Sequence, residues 1–213
     1  MFKAPPEIGT EVFARIPEEY RKSGQLSSER ILAGKGNLKT DSYIEGPTFD
    51  QEGNLYIVDI AFGLIFQISP KGLVKLLVEY DGEPNGLKIH QDGRIFVADH
   101  KNGLMLLDPI SASVKPFIER YKTESFKGLN DLVFSKQGKL YFTDQGQSGL
   151  QDPTGRVFCL DTQGHLHCLL NNVPSPNGIA LNADENFLYI AATRANSVWR
   201  AMLLPDGSIT RVG

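Results

Sequence analysis

Apolar and polar positions along the chain alternate in short runs of strand length. From Glu45 to Asp59 an oxygen-bearing residue comes first, then a short strand, a turn at Glu52-Gly53-Asn54, and a second apolar strand ending in Asp. The pattern returns from Asn85 to Asp99 and from Asn130 to Asp144. A fourth copy, Asn177 to Ala192, has one extra residue and no closing Asp. The leading residues Glu45, Asn85, Asn130 and Asn177 are 40, 45 and 47 residues apart. Short strands repeating at that length predict propeller blades. Every copy begins with Glu or Asn, so a chemical position repeats along with the fold.

Further strands follow each copy. Blade one continues through Gly63 to Ser69 and Leu73 to Tyr80, and blade two through Gly103 to Asp108 and Val114 to Ile118. Blade three has a long insert, Gln145 to Gly155, before two strands around Cys159 and Cys168. Blade four continues through Ser197 to Met202 and Ser208 to Val212. The expected blades span 44–80, 81–120, 121–172 and 173–213. Outer strands alternate while inner ones are more uniformly apolar, as expected where blades pack face to face. Residues 1–43 lack the repeat. Thr10 to Pro17 alternates well enough to predict a strand that closes the ring, and Arg30 to Gly34 predicts another. The expected fold is all-β, a propeller of the six-bladed type with about four blades visible. Six blades need roughly 270 residues at this repeat length, so the chain is expected to be short of a full ring. Its open blade edges predict self-association.

Composition narrows the function. Hydrophobic content of 41%, charged content of 22% and a net charge of −3 are those of a soluble globular protein. There is no basic run for nucleic acid and no apolar stretch of membrane-spanning length. Met1 to Glu7 lacks the apolar core of a secretory leader, so the expected compartment is the cytoplasm. Cys159 and Cys168 flank a predicted hairpin turn at Gln163-Gly164, which would set them opposite each other. Two free thiols are the expectation in a reducing compartment, and a cross-strand disulfide is the alternative.

Propeller topology decides which loops share a face with the strand-start residues. The first strand leaves that face and the second returns to it. The loops after the second strands hold Asp59 to Phe62, Asp99-His100-Lys101, Asp144 to Asp152 and Thr193-Arg194. His100 is therefore the one histidine placed to reach a bound substrate, with an exposed loop histidine of no role as the alternative reading, while His90, His165 and His167 fall elsewhere. The insert, with Gln145 and Gln147, is the expected substrate-contacting rim, because loops carry specificity. Asp59, Asp99 and Asp144 are expected to bond local backbone amides. Asn85-Gly86 and Asn177-Gly178 also suit tight turns, a reading that does not extend to Glu45-Gly46 or Asn130-Asp131.

Glu45-Gly-Pro, Gly128-Leu-Asn130-Asp131 and Ser175-Pro-Asn177-Gly178 resemble, in this order, the strand-start motifs of the SMP-30/gluconolactonase/LRE-like family. The resemblance covers residues 44–213. It implies a six-bladed propeller with a divalent cation, usually calcium, in the central channel, and hydrolysis of sugar lactones or related cyclic esters. By the resemblance Glu45 and Asn177 are metal ligands, Asn130 is a ligand or a substrate contact, and Asn85 has a lesser role at the substrate. The family's catalytic aspartate begins the next blade and is expected beyond Gly213. Leu204-Pro205-Asp206-Gly207 follows a third strand and reads as an outer turn, so Asp206 receives no catalytic role. The family arginine two residues before the third-blade Asn is Gly128 here. Glu and Asn oxygens suit calcium, and the repeated position lacks soft ligands for zinc or copper. The expected function is calcium-dependent hydrolysis of a small-molecule lactone. The alternative is a non-catalytic binding propeller or an inactive fragment.

Overall fold

The computed structural model describes residues 4–213 apart from 33 and 35, with residue 29 described in its backbone only. Four antiparallel four-stranded sheets follow one another along the chain. Blade one holds β1 (Ile44–Phe49), β2 (Leu55–Asp59), β3 (Leu64–Ile68) and β4 (Val74–Glu79). Blade two holds β5 (Pro84–Ile89), β6 (Ile95–Asp99), β7 (Gly103–Asp108) and β8 (Ser113–Ile118). A small ribbon of β9 (Arg120–Tyr121) and β10 (Glu124–Ser125) precedes blade three. That blade holds β11 (Leu129–Phe134), β12 (Leu140–Asp144), β13 (Gly155–Leu160) and β14 (Leu166–Val173). Blade four holds β15 (Pro176–Leu181), β16 (Phe187–Ala192), β17 (Ser197–Leu203) and β18 (Ile209–Val212). Strands pair in chain order within every blade, because short connections join only antiparallel neighbours. The result is the all-β propeller arrangement that the repeat implies.

The innermost strands pack as a series, β1 beside β5, β5 beside β11, and β11 beside β15. The middle strands are the dry ones: β6, β12 and β13 are buried along their whole length. They have a neighbouring blade on both faces, which favours continuous apolar runs. The innermost strands mix buried and exposed positions, since one side of each borders the polar axis. This refines the sequence expectation, which made the inner strands the most apolar. Between blades two and three, Phe96, Leu104, Phe142 and Phe158 form a single core cluster. Full burial of such a side chain contributes about 1.5–3 kcal/mol.

The N-terminal segment differs from its sequence reading. Residues 10–17 form no strand, and Ser28–Leu32 is a short helix, α1, where a strand was expected; Ala33 lies outside the described residues. Instead Ala14, Ile16, Tyr20 and Leu26 cover the face of blade one formed by Ile57, Phe62, Leu64 and Phe66. Alternation marks one-sided burial. An extended segment lying across a sheet face satisfies it without strand pairing.

The cysteines are free thiols. Across β13 and β14, Phe158 pairs with Cys168 and Cys159 pairs with His167. The turn holds three residues, 162–164, rather than the two at Gln163-Gly164, with Asp161 and His165 closing it by a backbone hydrogen bond of 3.0 Å. One residue of register sends a strand side chain to the opposite face. Cys159 therefore packs between blades three and four, and Cys168 between blades two and three. Among the described residues no helix is long and apolar enough to cross a membrane.

Candidate functional site

Glu45, Asn85, Asn130 and Asn177 stand at the starts of the four innermost strands, where the ladder in every blade slips. The register breaks between Glu45 and Thr48, Pro84 and Gly86, Leu129 and Leu132, and Pro176 and Ile179. Such a bulge bends the strand and re-aims its side chains. Pro and Gly within the motifs are its sequence signal, since both interrupt a regular ladder. Gly46 and Gly86 also permit close approach between blades. A Cβ on Gly46 would lie 2.4 Å from the Asn85 carbonyl oxygen, and one on Gly86 would lie 2.8 Å from that of Asn130. The Asn85-Gly86 pair thus sits at a blade junction and not in a tight turn.

The four strand-start residues line one cavity of about 370 Å³, together with His100, Gln145 and Gln147. Every site residue expected from the sequence is brought to this cavity. Tyr43, Ile60, Leu32 and Arg194 also line it, and the sequence reading gave them no site role. Ile60 and Arg194 lie on loops already placed on this face. Leu32 comes from α1, which is tethered by Arg30: its guanidinium donates to the Ala61 carbonyl, and to that of Gly82 at 3.0 Å. No local pattern reveals that tether.

The aspartates ending the second strands hold the rim. Asp59 accepts from the amides of Tyr43 (3.2 Å) and Ala61 (3.0 Å). Asp99 accepts from Lys101 and Asn102, both at 2.8 Å, and from the Tyr80 hydroxyl at 2.6 Å. Asp144 accepts from the amides of Lys127 (2.7 Å) and Gly128 (2.8 Å) and pairs with the buried Arg156 at 2.6 Å. All three do the backbone work expected of them. Away from the site, His165 and His167 both reach the Asp161 carboxylate on the outer hairpin. Asp206 accepts from the Ser208 amide in the outer turn of blade four.

A second network runs along the wall of blades three and four. Asn130 Nδ2 donates to Gln145 Oε1 at 2.8 Å, and Gln145 Nε2 donates to Ser175 Oγ at 2.8 Å. Arg194 Nη1 donates to the carbonyls of Gln147 (3.0 Å) and Ser148 (2.8 Å), joining the insert to blade four. Below this, Asp131 accepts from the amides of Leu132 (2.8 Å) and Ile179 (3.1 Å). Burial pushes the Asp131 carboxyl above its ordinary value, against those amides and Lys88.

Among the described residues no three His, Cys, Asp or Glu side chains gather into a metal-binding group. The donors along the cavity are the Glu45 carboxylate and the amides of Asn85, Asn130 and Asn177. Oxygen donors of this kind fit a hard dication of the calcium class.

A propeller whose strand-start oxygens line an axial cavity defines the class, and comparison with known proteins gives the family. The chain belongs to the SMP-30/gluconolactonase/LRE-like family, whose profile matches residues 44–212. A lactonase, drp35, from Staphylococcus aureus is 33% identical over 173 residues, covering 77% of this chain and 52% of that protein. The chain thus spans about half the length of the curated relatives it matches. Among solved structures, a gluconolactonase from Xanthomonas campestris superposes with a TM-score of 0.72 at 20% identity, over 81% of this chain and 62% of the other. A calcium-binding protein, regucalcin, from Agrobacterium tumefaciens superposes with a TM-score of 0.65 at 21% identity, over 78% and 58%. At these identities the structural likeness establishes the fold.

Proposed function

We propose that the cavity is the greater part of a lactonase site that works with a bound divalent cation, calcium by preference, in a reducing compartment such as the cytoplasm. The observation that carries this reading is the meeting of Glu45, Asn85, Asn130 and Asn177 on one cavity. Relatives named as a lactonase and a gluconolactonase support the reaction class. Glu45 is the one carboxylate of the four and supplies the negative charge. Asn130 and Asn177 supply neutral oxygens, and Asn85, His100 and Gln147 border the substrate. When bound, such a cation polarises a lactone carbonyl and lowers the pKa of a coordinated water. The chain's own part is to hold these groups rigidly at the axis while α1 and the insert restrict water. The substrate is a small cyclic ester.

Glu45→Gln keeps the shape and one oxygen but removes the charge. Calcium affinity, read by isothermal titration, should fall at least tenfold, or about 1.4 kcal/mol, with lactone hydrolysis falling alongside. Asn177→Ala should weaken binding less, because it deletes a neutral ligand. Unchanged affinity in Glu45→Gln would move the cation elsewhere and favour a non-catalytic binding propeller.

A further inference from the structure

We infer that Gln145 is a positioning residue: together with Ser175 it confines the Asn130 amide to two fully bonded orientations, and the one present leaves the amide oxygen for the cavity. This rests on the oxygen-donor reading of the site. An Asn amide has nearly the same shape with its oxygen and nitrogen exchanged, so packing alone does not orient it. Only its hydrogen-bond partners do. Here Asn130 Nδ2 donates to Gln145 Oε1 and Gln145 Nε2 donates to Ser175 Oγ, both at 2.8 Å. The Asn130 oxygen is then the atom left for the cavity. Reversing both bonds gives the one other fully bonded state, in which Ser175 donates to Gln145, Gln145 donates to Asn130, and an NH2 group faces the cavity. A dication accepts the first state and is repelled by the second.

The relay is built into the wall. Asn130 and Ser175 are 5% and 2% exposed, so a broken link would leave a polar group in a nearly dry site. Ser175 has φ +60, a left-handed conformation that non-glycine residues rarely adopt. Its amide donates to Ser148 Oγ at 3.1 Å, and the same hydroxyl donates to the Gln145 carbonyl at 2.6 Å. Ser148 thereby ties the backbones at both ends of the Gln145–Ser175 link. Arg194 secures the Ser148 carbonyl at 2.8 Å. Strain of this kind persists where surrounding bonds over-determine it.

The test uses the full 213-residue chain in two arms. The first is metal-free: the side-chain NH2 signal of Asn130 in 15N-labelled protein, assigned by its loss in Asn130→Asp. Gln145→Met removes both relay bonds at similar volume and should speed solvent exchange of that NH2 roughly tenfold, matching about one lost hydrogen bond. Gln145→Glu only accepts, so Asn130 must still donate to it and Ser175 can turn to donate; the NH2 should stay protected. The second arm titrates calcium chloride. Gln145→Met should weaken binding about tenfold or more, the usual cost of losing an outer-shell partner, and Gln145→Glu should bind at least as well as the parent. Ser175→Ala cuts the relay at its far end and should shift both readouts in the same direction if Gln145→Met folds poorly. Unchanged NH2 exchange in Gln145→Met, or equal losses in Met and Glu variants, would overturn the inference. A parent chain that binds no calcium would sink the cation reading, while the first arm still judges the relay.

Discussion

The imidazole of His100 lies directly against Gly128. A Cβ placed on Gly128 would be 2.3 Å from His100 Cε1 and 2.5 Å from Nε2, and the Gly128 φ of +146° disfavours a side chain there as well. His100 is held from behind by its own amide, which donates to the Glu83 carbonyl at 2.9 Å. Where the family places an arginine, this chain has a glycine, and a histidine from the neighbouring blade fills the room. The wall at this point is therefore an imidazole delivered by blade two and not a guanidinium delivered by blade three.

Gly128→Ala should destabilise the fold by about 1–3 kcal/mol, the usual cost of overpacking. Adding His100→Ala should return part of that loss, since residues in contact couple by about 0.5–3 kcal/mol. Urea unfolding of the two single variants and the double variant measures the coupling. Strict additivity would mean that the ring does not rest on Gly128.

The cysteines give a covalent check on strand register. Cys159 and Cys168 face different blade interfaces, so mild oxidation of the folded chain should leave its mass without the loss that marks a disulfide. Burial pushes the Cys159 thiol up to about 11, and the thiolate is the reactive form. A thiol reagent near pH 8 should therefore label the half-buried Cys168 well before Cys159. Rapid disulfide formation without unfolding would put the hairpin in the other register.

Asp131 predicts a pH dependence. Burial raises its carboxyl in the folded state, so the folded chain holds that proton more tightly than the unfolded chain does. Its contribution is then most favourable below the ordinary carboxylate value, about 3.9, and is lost as pH rises through the raised folded value. Asp131→Asn should flatten the fall in urea midpoint as pH rises from about 4. The readout is the slope against pH, because the Asn variant also loses one backbone hydrogen bond at every pH. Parallel slopes would remove Asp131 as the source.

Blade four leaves one face uncovered. Val198 is 64% exposed and Met202 is 41% exposed, whereas the matching strands of blades two and three are buried almost throughout. Apolar positions of this kind on a sheet face favour association. The chain should elute larger with rising concentration in size-exclusion chromatography. Val198→Lys with Met202→Lys should shift it toward the monomer while leaving calcium titration unchanged. A concentration-independent monomer in the parent would show that the face needs no cover.

Much of this molecule is written locally. The period of the strand pairs, the turns at Glu52-Gly53-Asn54 and Pro205-Asp206-Gly207, and the recurrence of Glu45, Asn85, Asn130 and Asn177 are all short-range features. Each is set by side-chain alternation and turn chemistry within about fifteen residues. Propeller symmetry then carries the recurring position to one axis. What depends on partners distant in sequence could be read only from the tertiary structure. The alternation of residues 10–17 does not say whether an extended segment meets a strand edge or a sheet face; the apolar surface of Ile57, Phe62 and Phe66 decided for the face. The hairpin around Gln163-Gly164 differs by one residue from its simplest reading, which puts Cys159 and Cys168 at different blade interfaces. Gln145 reads from sequence as a rim residue. Only the arrival of Asn130 from one strand and Ser175 from another blade makes it an orienting link, because hydrogen bonds between residues 15 and 30 positions apart leave no periodic trace in the chain.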